Sequence, residues 1–243
     1  MNLAQNFNWS EVTRNSLIDL LCFLKDKIVK ITLSNDEFHK IVTAHIRKYL
    51  PLRTKKGYYP DKKIGPPAIA GCYYSDYDRC REKSIEILIL YNQKNTHIHY
   101  THQSFLRFCT IFADTVLHEV IHMRQYRKRK FKSLPDYAST AKKIKQREEQ
   151  EYLGNSDEVD AYSFNIACEL NDKFEGKKSQ IIQHLNKNQK DSRCRADCWL
   201  MYLKAFNHDH NHRIIKRVKK RVTYYLNRSQ IEKPFHKKDW IIY

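Results

Sequence analysis

Long apolar runs are missing from this chain. The strongest, IEILILY at Ile85 to Tyr91, is short and carries Glu86, far below the roughly 20 apolar residues that span a bilayer, so no transmembrane helix is expected. The first residues, MNLAQNFNWSEV, have neither the basic start nor the apolar centre of a secretory signal; a cytoplasmic location is expected. Glycine and proline are scarce, 5 and 6 among 243 residues, while 41% of the chain is hydrophobic and 12% aromatic. That balance excludes a disordered or loop-dominated chain and predicts a folded, mainly helical one. Paired cysteines are lacking as well. Seven of them, Cys22, Cys72, Cys80, Cys109, Cys168, Cys194 and Cys198, are scattered singly, which suits a reducing compartment and small buried thiols rather than a disulfide framework.

Acids are outnumbered, 27 against 45 Lys and Arg, for a net charge of +18. The excess gathers in RKRKFK (Arg127 to Lys132), KKIKQR (Lys142 to Arg147) and RIIKRVKKR (Arg213 to Arg221). Such fields attract nucleic acid or an acidic partner without regard to sequence, although basic runs also serve only to solvate a surface.

Helical spacing of Val12, Leu17, Leu20, Leu21, Phe23, Leu24 and Ile28 predicts a helix over 9–30 behind a Ser10 cap, with Thr13 nearby. A second begins at Ser34, where Ser-Asn-Asp-Glu resembles a capping box, and stops before Pro51. Residues 51–67, PLRTKKGYYPDKKIGPP, read as loop. AIAGCYY (Ala68 to Tyr74) and SIEILILY (Ser84 to Tyr91) read as an antiparallel hairpin, HIHY (His97 to Tyr100) as a further short strand, and Ser104 as the cap of a long helix reaching about Arg129. Beyond Pro135 and a basic segment at 142–151, helical or mobile, Gly154-Asn155-Ser156 ends one element and caps a helix over 157–174. Helices are also expected over 179–186, 196–206 and 212–227. The fold class is therefore α+β and mainly helical, with a small antiparallel sheet beside the long helix. We divide the chain at 1–175, a core domain, and 176–243, a basic helical region packed on the same domain.

The chemistry gathers in DTVLHEVIHMRQY (Asp114 to Tyr126). His118 and His122 stand four apart, on one helical face, where both imidazoles reach one ion at about 2.0 to 2.1 Å. Glu119 is turned about 100° from His118, beside the open coordination position, where it can take a proton from water. Zinc suits this task because it lowers the pKa of bound water toward about 7 and polarises a carbonyl. Phe105, Leu106, Phe108, Phe112, Val116, Leu117, Val120 and Ile121 give the helix more apolar surface than a solvent-facing one needs. A third ligand is required, and SDEVDAY offers Asp157, Glu158 and Asp160 at the head of a separate helix. Glu158 is our choice; Asp157 and Asp160 are the alternatives. Asp114, one turn before His118, is either a partner for a ligand imidazole or a solvated acid, and Tyr162 either an oxyanion donor or a packed tyrosine.

HEVIHMRQY followed by EVDAY resembles the zincin metallopeptidases, in the gluzincin arrangement whose third ligand is a Glu on a second helix. It is similar to small bacterial and phage peptidases in which Gln125 follows the second His by three and an Ala follows the ligand Glu by three. The likeness covers about 60 residues, from Ser104 to Leu170, with the preceding strand. It implies a zinc peptidase with His118, His122 and Glu158 as ligands, Glu119 as catalytic base, a protein or peptide substrate, and SIEILILY pairing with extended substrate. The rival readings are a basic nucleic-acid-binding accessory protein and an inactive zincin used only for binding. The clusters HIHYTH (His97 to His102) and HDHNH (His208 to His212) read as surface loops, and Cys194 and Cys198 as packing residues.

Overall fold

Three helices of the N-terminal half open on reciprocal caps, in which a hydroxyl takes the backbone N–H three residues on and that third residue bonds back. Thr13 and Ser16 cap α1 (Arg14–Cys22), Ser34 and Glu37 cap α3 (Asn35–Tyr49), and Thr101 and Ser104 cap α5 (His102–Lys128). The structure, a computed structural model, describes residues 7–59, 67–187 and 197–227. Ser34 is the expected cap. Ser10 and Ser104 are not: each cap falls on a threonine three residues from a serine, and Ser104 is the third member of its box. The expected helix over 9–30 breaks after Cys22 and resumes as α2 (Lys25–Ile28), a turn that keeps Leu24 and Ile28 in the core and leaves Phe23 outside.

The chain forms two compact units, Met1–Phe131 and Lys132–Tyr243. In the first, β2 (Arg53–Tyr59), β4 (Ile85–Asn92) and β3 (Ala68–Tyr73) make a sheet in the order β2-β4-β3. The β3–β4 pairing is the expected antiparallel hairpin, with Gly71 opposite Ile87; its link contains the short helix α4 (Ser75–Arg79). β2 is a correction, since its residues were expected in a loop. It lies parallel to β4, Thr54 beside Ile87, and buries only Thr54; Lys55, Lys56 and Gly57 disguise it because an edge strand needs little apolar sequence and is protected by lysine. The sheet is thus mixed. β4 is central and paired along both edges, so SIEILILY has no backbone edge to offer a substrate. A second sheet pairs β1 (Thr32–Ser34) with β5 (His97–His99), antiparallel.

Alternation along β4 sends Ile85, Ile87, Ile89 and Tyr91 into the core. Phe38, Tyr100 and Phe108 meet them as a ring cluster, with Phe38 5.3 Å from both others. α1 packs along α5, and β3 crosses α5.

The second unit is helical among its described residues: α6 (Ile144–Gly154), α7 (Ser156–Lys173), α8 (Lys178–Asn186), α9 (Asp197–Ala205) and α10 (Arg213–Asn227). Asn155 caps α7. Leu153, Val159, Ile166, Trp199, Tyr202, Phe206, Ile215, Val218 and Val222 fill its core, where the Tyr202 hydroxyl donates to the Leu153 carbonyl at 3.0 Å. No described helix is long and apolar enough to cross a membrane.

Candidate metal centre

The middle of α5 is buried on nearly every side: Phe112, Ala113, Val116, Leu117, Val120 and Met123 lie inside, and with them His118 and Glu119, each 6% exposed. Ionisable groups so deep persist only with partners or a metal. The Nε2 atoms of His118 and His122 face each other at 3.0 Å, their rings edge to face with centroids 4.7 Å apart. The Gln125 side-chain oxygen lies 3.0 Å from His122 Nδ1. An amide oxygen only accepts, so Nδ1 carries the proton and Nε2 presents its lone pair toward His118. Two nitrogens bound at about 2.0–2.1 Å to one tetrahedral ion lie about 3.3 Å apart, close to the spacing found.

Glu119 meets β3 at a position where the strand carries no side chain and any added one would have to displace its neighbours. A Cβ on Gly71 would sit 2.7 Å from both Glu119 Cγ and Oε1, and 2.8 Å from Thr115 Cγ2. The missing side chain lets the strand press its backbone against the carboxyl. Next to it on the sheet's other face, burial pushes the Cys72 thiol up, and the Glu119 and Glu86 carboxylates push the same way.

Both flanks of the motif are tied to the N-terminal segment. Arg14 grips Asp114 through Nε at 2.6 Å and Nη2 at 3.2 Å, and Arg124 Nη2 donates to the Trp9 carbonyl at 2.9 Å. Asp114 is therefore not the solvated acid that one reading allowed. Farther along, Arg127 donates to the buried Asp78 at 2.8 and 2.5 Å, and Tyr73 donates to the same carboxylate at 2.9 Å. This clamps α4, and with it the end of β3, to α5.

In the second unit Glu158 stands in the first turn of α7, where the helix dipole favours a carboxylate. Burial and then the Glu158 carboxylate and Tyr162 hold the Tyr152 phenol above its usual range; the Tyr152 and Tyr162 hydroxyls lie 3.3 Å apart. Tyr162 packs edge-on to Tyr202 at 5.9 Å. Asp160 is committed elsewhere: Arg221 bonds it through Nε at 2.7 Å and through Nη2, and the Tyr225 hydroxyl donates at 2.9 Å.

Two histidines and one glutamate, His118, His122 and Glu158, make up a candidate metal site. Two imidazoles and a carboxylate are the donor set of a metal with one position left for water. Among the described residues no other group of three His, Cys, Asp or Glu is placed to share an ion. His97 and His99 lie exposed on β5, Cys198 packs partly buried against the core of the second unit, and Cys194 lies outside the described residues. Gly71, Arg14 and Tyr152 are site neighbours that sequence reasoning missed. An isolated glycine inside a strand was the available signal for the first; the other two had none. No family model, curated protein or solved structure matches the chain.

Proposed function

We propose that the chain is a zinc-dependent hydrolase, a metallopeptidase of the zincin kind, with His118, His122 and Glu158 as metal ligands and Glu119 as general base. The reading rests on the converging Nε2 atoms of His118 and His122, 3.0 Å apart on a buried helix, with the Glu119 carboxyl one residue on. Zinc, when bound, supplies the Lewis acid that polarises the scissile carbonyl and makes hydroxide available near neutral pH. Glu119 takes the proton from the attacking water and hands it to the leaving amine, a transfer worth roughly 10²–10⁴-fold in rate. Gln125 fixes the tautomer of His122, and Tyr152 steadies the Glu158 carboxylate.

Substrate alignment falls to β3 rather than β4. Among the described residues β3 pairs only with β4, and an extended peptide added to its outer edge runs past Gly71 and hence past Glu119. Metal analysis of the purified protein together with Glu119→Gln tests the reading. One zinc per chain is expected, retained by the variant, while peptide hydrolysis falls at least about a hundredfold. A protein that takes up no zinc, or a variant that cleaves as fast as the parent, refutes it.

A further inference from the structure

The second unit holds a cavity of about 400 Å³ lined by Leu134, Pro135, Tyr137, Ser156, Ile214 and the two arginines Arg213 and Arg217, with Gly154 at its wall. That volume is within the range of small-molecule sites. Its lining contains two cations and no acid. Arg213 and Arg217 stand one turn apart on α10. The Arg213 guanidinium lies 4.9 Å from the centre of the Tyr137 ring, and Arg217 Nη2 donates to the Ser156 hydroxyl at 2.5 Å. Neither pairs with a carboxylate among the described residues, whereas Arg221, one turn farther, is taken by Asp160. The Tyr137 wall is fixed by the glycine: a Cβ on Gly154 would fall 2.3 Å from Tyr137 Cδ1.

We infer that this cavity binds an organic phosphate of nucleotide size, its phosphate between Arg213 and Arg217 and its ring against Tyr137, Pro135 and Ile214. Planar guanidinium groups match phosphate oxygens in pairs. Two unneutralised arginines suit a group that carries up to two negative charges better than they suit a single carboxylate. The aromatic and apolar walls suit a flat ring. A free mononucleotide and the phosphorylated end of a polynucleotide both offer this chemistry. The site is independent of the proposed hydrolase activity.

Calorimetric titration of the full chain with adenosine 5′-monophosphate, with pyrophosphate and with a short 5′-phosphorylated oligothymidylate tests it. Saturable binding of one equivalent is expected for the mononucleotide or the oligonucleotide, and which of the two binds names the source. The double variant Arg213→Gln, Arg217→Gln should weaken binding at least about tenfold, as loss of charge-assisted hydrogen bonds does. Lys216→Gln, Lys220→Gln removes the same charge from exposed positions of α10 and should weaken it less than about threefold. Tyr137→Leu should weaken the mononucleotide more than pyrophosphate. Arg213→Gln alone, at an exposed residue, keeps the test decisive should the double variant fail to fold. No saturable binding by the parent chain, undiminished binding by the arginine variants, or an equal loss in the lysine variant overturns the proposal.

Discussion

Replacing Gly71 by alanine puts a methyl group 2.7 Å from Glu119 Cγ and Oε1 and 2.8 Å from Thr115 Cγ2. Neither side can retreat freely. Gly71 is held in register opposite Ile87, and Glu119 sits in the buried middle of α5. Overpacking of this kind costs about 1–3 kcal/mol, which for a chain of this size corresponds to a melting temperature lower by about 2–12 °C. Because the clash falls on the Glu119 stem, the carboxyl must move too, and a displacement of about 1 Å in a reacting group costs about a hundredfold in rate. Expected together are a modest loss of stability by scanning calorimetry, zinc affinity within about tenfold of the parent in a chelator competition, and severe loss of peptide hydrolysis. Gly57→Ala is the control. There the added Cβ meets Leu90 Cδ2 at 2.8 Å and Leu88 Cδ1 at 3.2 Å, side-chain ends on the sheet's other face, so hydrolysis should be untouched. Parental melting and hydrolysis in Gly71→Ala, or the same losses in Gly57→Ala, would refute the reasoning.

Three further outcomes are expected. Gln125→Leu removes the acceptor on His122 Nδ1 and Tyr152→Phe removes the phenol beside Glu158; each should weaken zinc binding roughly 10–100-fold, measured by chelator competition, and unchanged affinity in both would remove these residues from the site. Arg127→Leu strips the buried Asp78 of its charged partner at a cost of about 1–3 kcal/mol, toward the low end because Arg127 is half-exposed and the pair is screened; urea unfolding measures it. Burial, then Lys173 and Lys187, lower the His184 pKa from 6.5 to about 4. The unfolded chain binds that proton first as pH falls, so the contribution is intact above pH 6.5 and is lost progressively down to about pH 4. In metal-free protein His184→Gln should flatten this acid limb, and denaturation midpoints at pH 7 and pH 4.5 that shift as much as in the parent would contradict it.

The features legible in the sequence are those written in short-range spacing. Ser34 with Glu37, the four-residue step from His118 to His122, and Asn155 ahead of the acidic turn are each set by neighbours within one helical turn, and the helices over 178–186 and 213–227 follow from apolar periodicity. β2 was invisible because its pairing partner, β4, lies some 30 residues on, and an edge strand carries lysine where a central one carries isoleucine. The roles of Asp114 and Asp160 were open for a similar reason: each is decided by an arginine, Arg14 or Arg221, distant in the chain. Three neighbouring acids in SDEVDAY look alike on paper. Only the packing of α10 removes one of them from contention.

The anchoring of α5 by Trp9 and Arg14 defines how small a fragment can be. These two residues reach Arg124 and Asp114, on either side of the paired imidazoles, so the helix cannot be lifted out with its geometry intact, nor grafted onto another scaffold as a bare peptide. A shortened first unit that begins after Arg14 leaves the Asp114 carboxylate without its bidentate cation, one turn from His118. In a deletion series, the N-terminal limit for keeping the two histidines in register therefore falls near Trp9, roughly a hundred residues upstream of the motif it protects.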